Sequence, residues 1–156
     1  MKFKSQICTT KEQSERLLAL GLKKETADMW HIAKIKDWRG NDIPKRNQKW
    51  WLSFDGIGVG VGFDQFERVP AWSLHRLLCM LPGYVRKEYI DFGRKYIAAL
   101  DLIIDEGLCI GYKEGVDEPC YDEFFYAKDI YTSLCNCIEW LIKEGYFNKD
   151  YLEEKQ

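Results

Sequence analysis

The stretch Pro70-Ala-Trp-Ser-Leu-His-Arg-Leu-Leu-Cys-Met-Leu-Pro82 constrains the fold more than any other part of the chain. Leu74, Leu77, Leu78 and Leu81 fall at i, i+3, i+4 and i+7, the spacing of one stripe on an α-helix. Ser73 stands just before that stripe, where its hydroxyl accepts from a backbone N–H of the first turn. Pro82 cannot continue a helix, and Gly83 follows it. So short a helix is not stable alone in water, so its leucines must pack on something, and strand-like segments lie on both sides. The stretch reads as the hinge of the architecture, with mixed segments before it and a β-meander and a closing helix after it.

Before the hinge, residues 10–20 read as a helix. Thr10 is a good N-cap, and Gln13 three residues on completes a capping box. Gly21 suits the left-handed position after the helix, and Leu22 supplies the apolar contact that accompanies such a cap. A second helical piece is expected from Lys24 through Ala27, Met29 and Trp30. Helix, glycine turn, helix is the outline of a helix-turn-helix, and equally of any antiparallel helix pair. Residues 36–49 are polar and rich in turn formers, a loop with Trp38 as an anchor. Next, Gly56, Gly58, Gly60 and Gly62 alternate with Ile57, Val59, Val61 and Phe63, a strand with one bare and one apolar face. The spacing is not that of a phosphate-binding loop, so close packing over the glycines is the better reason for them.

After the hinge the texture is β. Tyr84–Phe92, Tyr96–Ile104, Leu108–Lys113 and Tyr121–Tyr126 are rich in aromatic and branched residues, with turn-like Gly93-Arg94-Lys95 and Asp105-Glu106-Gly107 between the first three. A helix from about Asp129 to Glu144 closes the chain. Ile130, Leu134, Ile138 and Leu141 form its apolar face, and Gly145 follows as a cap. The charged tail from Asn148 to Gln156 is expected to fray. The class is α+β: a small antiparallel β-meander packed with an N-terminal helix pair, a short central helix and a C-terminal helix.

The chain's 156 residues suggest one domain, and 46% hydrophobic residues suffice for a core. Net charge is −2, so the chain as a whole is no polyanion binder, but the charge is uneven: residues 1–51 hold 12 Lys/Arg against 6 Asp/Glu, and the remainder 11 against 19. Such asymmetry marks either a basic face for a polyanion or acidic partner, or two faces that pack on each other. No apolar run reaches the roughly 18 residues of a membrane span. The start is too polar for a signal peptide, so a cytoplasmic location is expected. Cys8, Cys79, Cys109, Cys120, Cys135 and Cys137 are then reduced thiols acting as small apolar fillers.

Chemistry-bearing constellations are sparse. The two histidines, His31 and His75, belong to no H-x-x-x-H or C-x-x-C arrangement, and Cys135 and Cys137 point about 200° apart on a helix. No metal, no cofactor and no catalytic residue is expected. The segment from Trp30 to Trp51 stands apart, because cations and indoles interleave in it: Trp30, His31, Lys34, Lys36, Trp38, Arg39, Lys45, Arg46, Lys49, Trp50 and Trp51. Trp38, Arg39, Lys45, Arg46, Lys49, Trp50 and Trp51 are the candidate binding residues. Such a mixture suits a protein hot spot, or stacking and phosphate contact with a single strand. Alternatively Trp50 or Trp51 points into the core while the other shields a sheet face.

Thr10-Lys-Glu-Gln-Ser-Glu-Arg-Leu-Leu-Ala-Leu-Gly-Leu22, Thr26-Ala-Asp-Met29, Pro70-Ala-Trp-Ser-Leu with Leu77-Leu78 and Leu81-Pro82, and Ile138-Glu-Trp-Leu-Ile-Lys-Glu-Gly-Tyr146 together resemble small uncharacterised proteins carried by prophages and mobile elements of gut bacteria. The resemblance covers the N-terminal, central and closing helices and is loose over residues 31–69 and 84–128. It implies an intracellular accessory role and carries no catalytic residues. The expectation is therefore a non-enzymatic accessory or interaction protein with a protein partner. The alternative is a nucleic-acid-binding module that uses the basic, Trp-rich N-terminal half.

Overall fold

The computed structural model describes residues 6–54, 63–91, 93–105, 109–114 and 122–154. The fold is α+β, with one three-stranded and one four-stranded sheet, both antiparallel. The chain, which reads as one domain by length, divides into two compact units. One is Met1–Leu77 with Tyr151–Gln156; the other is Leu78–Asp150. The boundary falls inside the central helix α2 (Leu74–Met80), at the stretch read as the hinge. Ser73 caps that helix as expected, its Oγ accepting from the Arg76 N–H at 3.1 Å. No helix among the described residues is long and apolar enough to cross a membrane.

In the first unit, α1 (Lys11–Ala19) carries the expected capping box, with Thr10 and Gln13 bonded reciprocally. It ends in a Schellman motif: Gly21 takes φ +94°, Gly21 N–H donates to Leu18 O, and Leu22 N–H donates to Leu17 O. The helical piece expected from Lys24 to Trp30 is corrected. It lasts one 3₁₀ turn, Lys24–Thr26, and Met29 and Trp30 open strand β1 (Met29–Lys34). β1 is the middle strand of its sheet, between β2 (Trp50–Ser53) and β3 (Phe66–Ala71). Pairing of Met29 with Ala71, and of Trp30–Ala33 on both sides, overrides the local helix preference there. Consecutive Ile32 and Ala33 are both fully buried, so this strand is covered on both faces. The alternating glycines 56–62 lie outside the described residues.

Within the tail expected to fray, residues 151–153 are instead held by backbone pairing. Lys23 N–H donates to Tyr151 O at 2.9 Å, Glu153 N–H donates to Gly21 O at 2.8 Å, and Leu22 and Leu152 form a β-bridge. Backbone pairing thus fixes this segment against the turn after α1.

The second unit is the meander expected after the hinge: β4 (Tyr84–Asp91), β5 (Arg94–Asp105), β6 (Cys109–Glu114) and β7 (Asp122–Tyr126), each paired with the next. Helix α3 (Ile130–Glu144) packs on β6 and β7. Asp129 caps it through Thr132 N–H at 2.9 Å, and Gly145 at φ +79° ends it. Leu134, Ile138 and Leu141 are fully buried, as their spacing implies. Tyr131, Ser133, Cys135 and Cys137 are buried too, so the buried arc covers about 200° of the helix circumference. Trp140 is the centre of an aromatic cluster, with Tyr112, Phe125 and Tyr146 at centroid distances of 5.8, 5.8 and 5.6 Å. Burial raises the Tyr112 phenol well above its ordinary range, and its hydroxyl donates to Pro82 O at 2.8 Å.

Candidate interaction surface

The Trp-rich basic segment is built on the connection between β1 and β2. After Lys34 the chain stays paired, with Ile35 N–H donating to Gln65 O at 2.8 Å and Ile43 N–H to Ile35 O at 2.6 Å. A bridge between Lys36 and Asp42 closes the turn Asp37-Trp-Arg-Gly-Asn41. One carboxylate organises that turn. Asp37 Oδ1 accepts from the N–H groups of Arg39 and Asn41 at 2.8 and 2.9 Å, and Oδ2 accepts from the Asn41 side chain at 3.1 Å. The main chain adds Asp37 N–H to Asn41 O and Gly40 N–H to Asp37 O. Gly40 has φ +84°, a conformation that disfavours side chains. Its bonds, those from Asn41 first, hold the Asp37 carboxyl below the usual aspartate range.

This turn presents Trp38 to solvent. Its side chain is 79% exposed, with the Arg39 guanidinium 4.4 Å from the ring centroid. The expectation that Trp38 anchors the loop to the protein is thereby corrected: the anchor is the Asp37 carboxylate, and the indole is left outside. Lys45 and Arg46 follow on an exposed 3₁₀ turn, Lys45–Asn47, and Lys49 is exposed beyond it. Between Ile35 and Lys49 there are five basic residues and two acidic ones, and one of those acids is Asp37.

Trp50 and Trp51 are not part of that display. They lie on successive positions of β2, opposite Ala33 and Ile32, and so face opposite sides of the sheet. Trp50 is half-buried beneath Lys11 of α1, whose Nζ lies 3.6 Å from the ring centroid and 3.6 Å from Glu67. Trp51 is 43% exposed, with its ring edge-on to Phe66 at 6.0 Å. Lys36 pairs with Asp64 at 3.6 Å. His31 Nε2 is 2.8 Å from Thr9 O; a carbonyl only accepts, so Nε2 carries the hydrogen. The structure therefore brings Trp38 and Arg39 together, leaves Lys45, Arg46 and Lys49 exposed on the same connection, and gives Trp50 and Trp51 to the sheet.

A buried polar network escaped the sequence reading. Thr9 and Ser14 hydroxyls meet at 2.8 Å, and Trp72 N–H donates to Thr9 Oγ1 at 3.0 Å. The Trp72 indole N–H donates to Thr26 Oγ1 at 2.9 Å, and Arg76 Nε donates to Thr26 O at 2.7 Å. Asp28 accepts from both the N–H and the hydroxyl of Ser73. Thr9, Ser14 and Trp72 are fully buried. The partners are far apart in sequence, so no local pattern announces them. Among the described residues, no three His, Cys, Asp or Glu side chains converge as a metal site would require. No family model matches this chain, and neither a curated protein nor a solved structure does.

Proposed function

We propose that this chain is a non-enzymatic interaction protein, of the accessory kind carried by prophages and mobile elements, and that it engages a protein partner through the connection between β1 and β2. The observation that carries this reading is Trp38, 79% exposed on a turn held by its own carboxylate. A large ring on an ordered turn has little conformational freedom left to lose on binding, which is how tryptophan comes to dominate interfaces. The exposed cations Arg39, Lys45, Arg46 and Lys49 favour an acidic partner surface around that anchor. Cys8, Cys109 and Cys137 are buried as thiols, which supports a reducing, cytoplasmic setting.

One observation favours a nucleic-acid reading: Trp38 and Arg39 pair an exposed ring with a cation, as single-strand binders do. Against it, Trp50 is covered by Lys11 and Trp51 is edge-on to Phe66, so the indoles do not form a row of stacking platforms. The test uses two variants with unchanged circular dichroism. Trp38→Ala should lower retention of a co-purifying protein at least tenfold, and Lys45→Glu with Arg46→Glu should weaken it in a salt-dependent way. A single-stranded oligonucleotide titrated at physiological salt should bind no tighter than about 10⁻⁵ M, in the non-specific range. A salt-sensitive micromolar complex with the oligonucleotide, lost in the charge-reversed variant, would replace the protein-partner reading.

A further inference from the structure

We infer that the turn after α1 is a docking site for a short extended peptide, and that the chain's own Tyr151-Leu-Glu153 fills it in cis as a detachable plug. The contact is a one-residue antiparallel pair. Lys23 N–H donates to Tyr151 O at 2.9 Å and Glu153 N–H donates to Gly21 O at 2.8 Å, which sets Leu22 directly opposite Leu152. A pair flanked in this way by its hydrogen bonds brings the two side chains close together on one face. Leu22 is 1% exposed with the segment in place. The Arg76 guanidinium stands 5.8 Å from the Tyr151 ring centroid, within cation–π reach, and its Nε donates to Thr26 O at 2.7 Å, which holds it there. Charge agrees with the pairing. Lys23 and Lys24 follow Leu22, whereas residues 149–154 hold three acids, Asp150, Glu153 and Glu154, against one lysine.

The site is built without help from the segment. Gly21 and Leu22 N–H groups donate to Leu18 O and Leu17 O of α1 at 2.9 and 3.1 Å. On the other side, Thr26 donates to Lys23 O from its N–H at 3.0 Å and from its hydroxyl at 2.7 Å. The segment meets Lys23 N–H and Gly21 O, a donor and an acceptor on either side of a buried leucine. An extended peptide matches that array with a carbonyl, a leucine and an N–H in succession, as in strand addition. The pairing of the segment is one residue long, and the ordering of its residues opposes it, so docked and released forms lie close in free energy. The chain enters the segment through one 3₁₀ turn, Lys149–Tyr151, where Asn148 Oδ1 accepts from Asp150 N–H at 2.9 Å. Residues up to Asp150 belong to the second unit and those from Tyr151 to the first, so the chain passes between units in that turn. α1 and α3 have ladders of their own and persist when the plug leaves. A partner segment with leucine followed by an acid takes the vacated place. This site is separate from the β1–β2 connection and does not depend on the function proposed for it.

Amide hydrogen exchange of the full chain tests the release. Undocking frees Lys23 N–H and Glu153 N–H together, while Leu22 N–H keeps its bond to Leu17 O. Lys23 and Glu153 should therefore share one opening equilibrium. They should exchange at least about tenfold faster than Leu22, and about 100-fold or more faster than Leu134 of α3, after correction for intrinsic rates. Leu152→Asp sets a carboxylate opposite Leu22 and should abolish the protection of Lys23 with circular dichroism unchanged. A synthetic peptide of residues 148–156, added to that variant, should restore it, and the same peptide carrying Leu152→Asp should not. The unaltered chain should need about tenfold more peptide, because its own segment competes at the roughly millimolar effective concentration of a tether. Lys23 and Glu153 amides that exchange as slowly as Leu22 and Leu134, or with unrelated openings, overturn the proposal. So does a Leu152→Asp variant that unfolds, since the segment is then integral to its unit. A peptide that leaves Lys23 unprotected, or that serves both chains equally, also overturns it. Protection of Lys23 that rises with protein concentration would put a second copy's segment in the site and overturn the assignment in cis.

Discussion

In the second unit every strand pairs with the strand next to it in sequence, and α3 then packs on the last two. In the first unit β1 is joined by β2 across a long connection and by β3 across a longer one, and residues near Thr9 reach Trp72 and His31. The interiors differ in the same sense. The second unit is filled by Leu100, Ile110, Tyr112, Leu134, Ile138 and an aromatic cluster about Trp140. The first buries Thr9 and Ser14 completely beside Trp72 and joins them by hydrogen bonds. Local pairing leaves most of the second unit's specification to apolar burial, although Ser133 is buried there and the Tyr112 hydroxyl bonds to Pro82 O, whereas distant pairing in the first unit comes with a network of directional bonds that fix which segments meet.

The largest expected effects test that contrast in the two cores. Trp72→Ala should cost about 3–5 kcal/mol and Leu134→Ala about 2–5 kcal/mol in denaturant unfolding, since each empties a fully buried site. Milder replacements separate the mechanisms. Leu134→Met keeps volume and should cost less than about 1.5 kcal/mol. Trp72→Phe also keeps an aromatic ring but removes the indole N–H that Thr26 Oγ1 accepts, leaving that hydroxyl only its own bond to Lys23 O, and should cost about 0.5–1.5 kcal/mol more than the volume change explains. If the two mild variants are equally tolerated, the polar network is not what distinguishes the first unit.

Intermediate effects come from a hydroxyl and a hydrogen. Thr9→Val removes the acceptor of Trp72 N–H and the partner of Ser14, and should cost about 1–3 kcal/mol. Gly111→Ala should cost a similar amount, about 1–3 kcal/mol, for a steric reason. Its β-carbon would stand 2.5 Å from Phe124 Cδ1 and against the Glu123 carbonyl oxygen. Gly83→Ala, with nothing within 4 Å of the added carbon, is the control and should be close to neutral. Parity between Gly111→Ala and Gly83→Ala would mean that the strands yield, and that packing in the second unit is looser than its burial implies.

The same contrast explains which parts of the fold were legible. The meander, α1 and α3 are announced by neighbours in sequence: Thr10 with Gln13, Gly21 with Leu22, Asp129, Gly145 and the alternating aromatic runs. β1 is not, because Met29 and the residues before it read as helix, and only pairing with β3, then with β2 from Trp30 on, overrules that. Trp38, Lys45 and Arg46 were identifiable by type, but their presentation was not. Nothing in the sequence says that the Asp37 side chain takes the anchoring role that the indole would otherwise fill. Trp50 and Trp51 were rightly ambiguous as a pair, since adjacent strand positions face opposite ways.

Alkaline conditions should weaken the second unit. Burial pushes the Cys137 thiol from 9.0 up to about 12, and burial, then Cys137, raises the Tyr112 phenol. Both groups hold their protons more tightly folded than unfolded. Their stabilising contribution is therefore complete below the unfolded values and is lost as pH rises from about 9 toward 12. Denaturant midpoints should fall across that window, and Cys137→Ala should flatten the fall. Cys8 in the first unit is also raised, by burial first and then by Asp28. An unchanged slope in Cys137→Ala, with a flattened one in Cys8→Ala, would move the alkaline sensitivity to the first unit.

The smallest effect on stability is expected where the proposed effect on binding is large. The Asp37 carboxyl lies below the usual range because Asn41, then Arg39 and Gly40, bond to it folded. Its contribution is thus present above the unfolded value and is lost as pH falls through the lowered one. Asp37→Ala should leave the denaturant midpoint nearly unchanged, because the carboxylate's hydrogen bonds stay within its own turn. Amide exchange at Arg39 and Asn41 should nevertheless accelerate, since both N–H groups lose their side-chain acceptor. Partner retention should fall in step, although Trp38 itself is intact, because the ring is no longer held ready. Exchange that is unaltered in Asp37→Ala would show that the bonds from Asp37 N–H to Asn41 O and from Gly40 N–H to Asp37 O hold the turn unaided. Trp38 would then owe its exposure to the main chain alone, and the pre-organisation assigned to Asp37 would be withdrawn.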